Sequence, residues 1–581
     1  MSRLLQTQRL GWVLCLAGLC LTLPSLFIGF YQDDFVARYI YSDLDGARDL
    51  YRAYAGGYGI SNGVPADNHW QAEAGHAPWW IYPELQLALF RPISQATHIL
   101  DVRLWSSNAL LMHAHSLLWF AALILAATRM YRGALGTVVG GMAALLFAVD
   151  HTHGFLVGYI TNRHALISAL FGVLCIDQHF RARAAGKRWP SWTALLFYGL
   201  ALLSGELSVT VLGYVLGYAL FVEKGSLLRR GLSFAPYVLL TALWRAGYAA
   251  AGYGVFGSGI YIDISREPMR FFTELLERGP VLILGQFLAP PPEIMYLASE
   301  SLARGIVIFA VIFLLLLAAT FTQLARRSPT SRMWLLGMLI SLVPASSTFP
   351  HSRQLMFTSI GAMALLAEFW QLYAVELRDK KHTLVAKLVA LPGVSAFVLH
   401  LVGAPLVLPF ATCSVALARR FHQAVARVGD EIAGRDLVFV NAPDYLATRL
   451  VQLMRRVDHR PLPRRWRALS FGAQPVTIHR PGERTLLVDY AGGILGTPLS
   501  ELYRDRRLRM SPGDHVELEG LDIHVRSVTA DGRVQSAEFV FDRSLDDPRF
   551  CFYFWGEEGF APFTLPKIGD TAALAAPVVK L

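Results

Sequence analysis

Residues 11–35 read GWVLCLAGLCLTLPSLFIGFYQDDF. The run Gly11–Phe30 carries no charge, and about 20 apolar residues suffice to cross a bilayer as a helix. It is too long for a signal h-region and lacks a small-x-small cleavage site, so it reads as an uncleaved anchor. Directly after it stand two adjacent acids, Asp33 and Asp34. Carboxylates at a membrane surface are costly to desolvate and need a partner or a job. The bland reading is that the pair caps the next helix or keeps the loop out of lipid.

The rest of the chain repeats the apolar pattern. Of 581 residues, 54% are hydrophobic and 17% charged, with mean hydropathy +0.40, whereas soluble domains are about 25% charged. Apolar stretches recur at 11–30, 107–131, 134–150, 154–177, 191–204, 208–222, 232–251, 303–325, 332–349, 353–375 and 384–410. This predicts a polytopic α-helical membrane protein with about 11 transmembrane helices.

The net charge of +10 describes topology and not a nucleic-acid partner. Basic clusters fall at Arg3/Arg9, Arg129/Arg132, Arg181/Arg183/Lys187/Arg188, Lys224/Arg229/Arg230, Arg326/Arg327/Arg332 and Arg378/Lys380/Lys381. They mark every second end of the apolar runs, as the positive-inside rule requires. The N-terminus is therefore expected in the cytoplasm and the C-terminus outside. The five cysteines show no paired spacing, so neither a disulfide framework nor a C-x-x-C metal site is expected.

The pattern divides the chain into a transmembrane domain, 1–415, and a β-rich extracytoplasmic domain, 425–581. Two outward loops, 31–106 and 252–302, interrupt the first, and long loops in compact proteins are commonly functional. Within the second loop, Val281–Leu288 is apolar but too short to span, and is expected at the membrane interface. In the tail, Asp436–Asn441 reads as a strand and Tyr445–Val457 as a helix. Val476–His479, Thr485–Asp489, Val516–Glu519, Ile523–Val528 and Val534–Phe541 alternate as strands around turn residues such as Asp531-Gly532.

Several polar groups fall on the same outward side as the acid pair: Arg91, His151, His153, Glu206, His351 and Arg353, with Arg163 about two turns deeper in the fourth run. Arg163 is costly there and needs a partner, for which Asp150 or Glu206 are candidates. His151 and His153 have a ligand-like spacing, but such pairs at helix ends commonly only hydrogen-bond. Arg353 reads as an anion contact or an interfacial anchor. His113 and His115 read as hydrogen-bonding core residues. The string Phe550, Phe552, Tyr553, Phe554, Trp555 reads as sheet core before sugar platform.

These residues resemble an ordered set of motifs. Gln32-Asp33-Asp34-Phe35 is followed by Phe90-Arg91-Pro92-Ile93-Ser94, Leu100-Asp101, Leu104-Trp105 and His113-Ala114-His115-Ser116-Leu117-Leu118. Then come His151-Thr152-His153-Gly154, Tyr159-Ile160-Thr161-Asn162-Arg163, Leu202-Leu203-Ser204-Gly205-Glu206, His351-Ser352-Arg353 and Ser359-Ile360-Gly361. The series over about 10–375 is similar to GT-C glycosyltransferases. It is closest in pattern to the transmembrane-and-tetratricopeptide O-mannosyltransferases and their bacterial relatives. It departs from them at Gly154, at Gly205 where a Lys is usual, and before Arg353 where a Glu is usual.

The resemblance implies a GT-C-like fold with amphipathic helices in the first outward loop, in a bacterial inner membrane. It implies transfer of a sugar from a polyprenyl-phosphate donor to a glycan, lipid or protein acceptor. Asp33 would be the general base of an inverting displacement and Asp34 its support. Arg353, Arg163, Arg91 and His351 would face the donor phosphate, and His151, His153 and Glu206 would line the substrate pocket. No cofactor is specified, and a divalent metal is left open. Membrane lipids are the surrounding partners and nucleic acid is not one. The other readings are a transporter or flippase of lipid-linked glycans, or an inactive GT-C-fold protein acting through its C-terminal domain.

Overall fold

The computed structural model describes residues 2–42, 48–53, 58–187, 189, 191–378, 384–496 and 499–579. Arg188, Lys380 and Lys381 of the basic clusters lie outside the described residues. The chain divides into two compact units: Met1–Phe30, Phe90–Ala251 and Glu267–Val415 form one, and Tyr31–Leu89, Gly252–Arg266 and Ala416–Leu581 the other.

The first unit is helical. Five helices are long and apolar enough to cross a membrane: Leu10–Phe27, Ala109–Ala148, Ile160–Ala184, Glu300–Arg327 and Ala390–Val425. They mark the chain as an integral membrane protein. All eleven apolar stretches fall on helices, but among the described residues only these five reach spanning length and hydropathy. Two more apolar helices, Trp192–Leu202 and Glu206–Val222, are shorter, while Leu227–Ala250 and Met356–Arg378 are long enough but not among the candidates, so the number of crossings stays at five candidates.

The helix Ala109–Ala148 accounts for two predicted stretches. Gly136, at φ 78°, breaks it into two arms, a backbone conformation only glycine adopts readily. Close approach of helices elsewhere also depends on missing side chains. A Cβ on Gly158 would meet the Thr412 carbonyl oxygen at 2.1 Å, and one on Gly154 the Ala411 Cβ at 2.6 Å. This is small-residue packing of the kind membrane helices use.

The segment Val281–Leu288 differs from expectation. It is the C-terminal half of a helix, Pro268–Phe287, whose residues 278–287 are all buried. Val281, Leu282, Ile283, Leu284 and Phe287 join the main apolar core. Its apolar character reflects burial inside the helical unit and not contact with the interface.

Among the described residues the second unit holds thirteen strands, numbered in chain order: β1 Gly59–Asn62, β2 Gln86–Ala88, β3 Gly254–Phe256, β4 Asp436–Phe439, β5 Arg465–Ala468, β6 Val476–His479, β7 Thr485–Tyr490, β8 His515–Leu518, β9 Leu521–Val528, β10 Val534–Phe541, β11 Phe550–Gly556, β12 Gly559–Pro562 and β13 Thr571–Leu574. A six-stranded antiparallel sheet runs β13-β6-β7-β10-β9-β8, and a four-stranded sheet runs β12-β11-β4-β5.

In the smaller sheet β4 pairs parallel with both neighbours. All four β4 residues are buried, as the centre of a sheet covered on both faces requires. The amphipathic helix Tyr445–Val457 is the crossover from β4 to β5, which parallel pairing needs. It is capped by Asp444, whose side chain accepts from the Ala447 N–H at 2.9 Å. The aromatic run of β11 is largely buried sheet core.

Chain segments far apart in sequence build this unit together. The third sheet runs β1-β2-β3, and so joins residues of both loops. Arg467 donates to Glu73, Gln452 donates to the Ala74 carbonyl at 2.9 Å, and the Tyr445 hydroxyl donates to the His76 carbonyl.

Candidate functional site

The acid pair opens the helix Asp33–Ser42 in the second unit. Asp34 is buried, and its Oδ2 accepts from the Tyr31 N–H at 2.9 Å, closing the turn before the helix. Asp33, one residue earlier, is exposed. A helix N-terminus favours negative charge. One acid is thus committed to the fold while its neighbour is open to solvent. Arg38, one turn on, lies near Asp34 and Asp458. One cleft of this unit, about 690 Å³, is lined by Glu73, Glu517, Glu519 and Asp522 among others and includes neither acid of the pair.

The other expected site residues belong to the first unit, where they form three clusters. In the first, Arg91 Nε pairs with Glu206 Oε2 at 2.7 Å. A Cβ on Gly205 would press on Ser168 Oγ at 3.2 Å and His164 Nδ1 at 3.4 Å. Both Arg91 and Arg353 lie near enough to act electrostatically on the His164 ring.

Arg353 sits with its guanidinium carbon 5.1 Å from the Phe349 ring centroid. Among the described residues it forms no ion pair. The acid absent before it in sequence comes from elsewhere: Glu293 accepts from the Ser352 N–H and hydroxyl, both at 2.9 Å. His351 Nδ1 accepts from the Arg353 N–H at 3.1 Å. Burial, reinforced by the Arg353 charge, holds the His351 imidazole well below its usual range, so it is neutral.

The second cluster surrounds Arg163, which is fully buried. Its partner is Asp101, at 2.5 Å, and neither Asp150 nor Glu206. Arg163 also donates to Ser116 Oγ at 3.0 Å and to the Met112 carbonyl at 2.7 Å. The other Asp101 oxygen meets His115 Nδ1 at 2.6 Å. Expected at the donor phosphate, Arg163 instead spends its donors tying three helices together. His113 Nε2 bonds the Gly29 carbonyl at 2.9 Å, the core role expected of it.

The third cluster is built on Asp150, which is fully buried. Its Oδ1 accepts from the Thr152 N–H at 3.0 Å, while Oδ2 accepts from Gln286 Nε2 at 3.1 Å and Ser359 Oγ at 2.8 Å. Three histidines face it: His151 at 3.5 Å, His153 at 3.9 Å and His400 at 4.0 Å. Asp101, Glu293 and His400 were not assigned roles from sequence, and Asp150 was considered only as a partner for Arg163. His400 had a usable signal, since it is the lone titratable side chain in the apolar run 384–410 apart from Lys387, and polar groups in such runs need a reason.

No protein-family model matches the chain, and no curated protein matches it. Solved structures do. The chain is similar to the Archaeoglobus fulgidus oligosaccharyltransferase in its apo form, at 13% identity and TM-score 0.42, over 80% of this chain and 64% of that one. The archaeal oligosaccharyltransferase AglB from the same organism, in complex with an inhibitory peptide and a dolichol-phosphate, is 12% identical with TM-score 0.41, over 78% and 64%. ArnT from Cupriavidus metallidurans bound to undecaprenyl phosphate is 14% identical with TM-score 0.39, over 79% and 90%. The chain spans about 64% of the archaeal protein's length.

Proposed function

We propose that this protein is a membrane glycosyltransferase that moves a sugar from a polyprenyl-phosphate donor to an acceptor hydroxyl on the extracytoplasmic side. The observation that carries the reading is the Arg353–Arg91–His164 cluster, in which Arg353 is stacked on Phe349 and has no carboxylate partner among the described residues. A guanidinium left without an acid suits a phosphate, which it binds through charge-assisted hydrogen bonds.

In this reading Asp33 removes the acceptor proton as the new bond to the anomeric carbon forms. The bond from that carbon to the phosphate oxygen breaks with its electron pair leaving on the polyprenyl phosphate. A single displacement inverts the anomeric centre. Arg353 and Arg91 stabilise the charge that develops on the leaving phosphate, so no general acid is needed. Asp34, buried and bonded to the Tyr31 N–H, holds the turn that presents Asp33. Arg163 acts as a positioning residue through Asp101.

The test is binding of undecaprenyl phosphate to the purified chain in nanodiscs. Arg353→Ala is expected to weaken it about 10- to 100-fold, since a hydrogen bond to a charged group contributes about 1.5–3 kcal/mol. Arg353→Lys should recover part of the loss if a point charge suffices. Unchanged affinity in both variants would make Arg353 an anchor held by Phe349.

A further inference from the structure

We propose that Asp150, His151 and His400 form a site for one divalent cation of the zinc class, independent of the glycosyl-transfer reading. One donor atom from each residue lies within 4.8 Å of the other two. With metal–ligand bonds of about 2.0–2.2 Å, tetrahedral ligand atoms lie about 3.4 Å apart. The observed spacings of 3.5 Å from Asp150 Oδ1 to His151 Nδ1 and 4.0 Å to His400 Nε2 are too long for hydrogen bonds and slightly wider than a filled shell. Small side-chain rotations close the difference.

The protonation pattern fits a ligand role. The His400 Nδ1 contact with the Ala396 carbonyl, at 2.8 Å, needs the hydrogen on Nδ1. This leaves Nε2, which faces Asp150, with a free lone pair. Such outward hydrogen bonds orient metal-binding imidazoles. Among the described residues His400 Nε2 and His151 Nδ1, both buried, have no hydrogen-bond partner, an expensive arrangement for polar atoms. Asp150 is held for the same purpose: Gln286 and Ser359 occupy Oδ2 and turn Oδ1 toward the two rings.

Charge points the same way. Among the described residues no Arg or Lys pairs with Asp150, whose ion-pair partners are the three histidines alone. A divalent cation would balance a fully buried carboxylate without protonating those rings. Two nitrogens and one oxygen match zinc chemistry better than that of magnesium or calcium.

The placement gives the site a mechanical role. His400 lies in the π-helical turn Leu399–Gly403, a helix irregularity found often at functional sites. His151 opens the short turn after the helix Ala109–Ala148. The metal would clamp the last candidate span to that turn, beside the seam where Gly154 and Gly158 touch Ala411 and Thr412. His153 faces the other oxygen, Oδ2, at 3.9 Å and stands outside the ligand set, although sequence spacing alone would pair it with His151.

The experiment uses the full-length protein in detergent with its purification tag removed. It is stripped with chelator, then titrated with Zn²⁺ and separately with Co²⁺ as a spectroscopic probe. One equivalent of tightly held metal is expected, with the visible d–d absorption of tetrahedral Co²⁺ and a raised unfolding temperature. His400→Gln and His151→Gln should lose the Co²⁺ band, while His153→Gln keeps it. Gln286→Ala, which removes only a supporting contact, should weaken Zn²⁺ about 10- to 100-fold. If a variant fails to fold, the wild-type titration decides alone. Absence of a stoichiometric site in the wild type, or the same Co²⁺ band in His400→Gln, overturns the proposal whatever the enzyme's activity.

Discussion

Replacing Asp101 by Asn tests how the helical unit is held around its buried charge. Arg163 is fully buried and pairs with the Asp101 carboxylate at 2.5 Å, with Ser116 Oγ at 3.0 Å and the Met112 carbonyl at 2.7 Å as neutral acceptors. Asp101→Asn keeps the shape and an acceptor oxygen but removes the compensating charge. Uncompensated buried charges cost about 3–5 kcal/mol, and the retained amide oxygen puts Asn near the lower end. Asp101→Leu, with no acceptor, falls near the upper end. The double variant Asp101→Leu/Arg163→Met removes both charges and should recover most of the loss, because well-packed apolar replacements of buried pairs are often neutral. The assay is reversible unfolding of the purified protein in mixed micelles, read as a double-mutant cycle. Asp101→Asn within about 1 kcal/mol of wild type, or a double variant as unstable as the two single changes summed, would refute the reasoning.

Four further outcomes follow from particular residues. Gly158→Ala should destabilise by about 1–3 kcal/mol or more, because its Cβ would collide with the Thr412 carbonyl at 2.1 Å; a neutral effect in thermal unfolding would mean the seam is loose. Burial, aided by Arg456 and Arg449, pushes the His76 imidazole down to about 3, so the second unit keeps its full stability above about pH 6.5 and loses up to about 1.4 kcal/mol per unit as pH falls below it. His76→Gln should flatten that acid limb in unfolding curves, and an unchanged limb would assign it to other groups. Cys551 is buried and its thiol is pushed up to about 11, so it should resist maleimide, whereas a cysteine replacing Asp531 in the β9–β10 turn should label from the extracytoplasmic side; labelling only from the cytoplasm would reverse the expected topology. Asp34→Asn should lower sugar transfer less than Asp33→Asn, as a supporting contact contributes less than the base, and a larger loss would exchange their roles.

Local patterns in the tail were legible because each depends on residues near in sequence. The helix Tyr445–Val457 and strand Val534–Phe541 coincide with their predicted bounds, fixed by amphipathic spacing and by alternation beside turns. The order β12-β11-β4-β5 was not legible, since parallel pairing joins residues more than a hundred positions apart. The same holds for residues of 31–89 and 252–266 folding with the tail. Composition gave the membrane class, but Val281–Leu288 shows that an apolar run reports burial without saying whether lipid or protein provides it. Among the site residues, the need of Arg163 for an acid was legible; its identity as Asp101 was not, because that choice is made by helix packing. His400 illustrates the same limit: its cost was visible in sequence, its neighbours were not.

The central claim is sugar transfer from a polyprenyl-phosphate donor with Asp33 as the base. The direct measurement is turnover by the purified protein in nanodiscs, following release of polyprenyl phosphate and appearance of the sugar on acceptor in the same reaction. Wild type should release one polyprenyl phosphate per sugar transferred. Asp33→Asn should bind donor normally but turn over about 10²- to 10⁴-fold more slowly, the contribution typical of a general base. Equal turnover in wild type and Asp33→Asn, or donor moved across the bilayer without release of polyprenyl phosphate, would contradict the account.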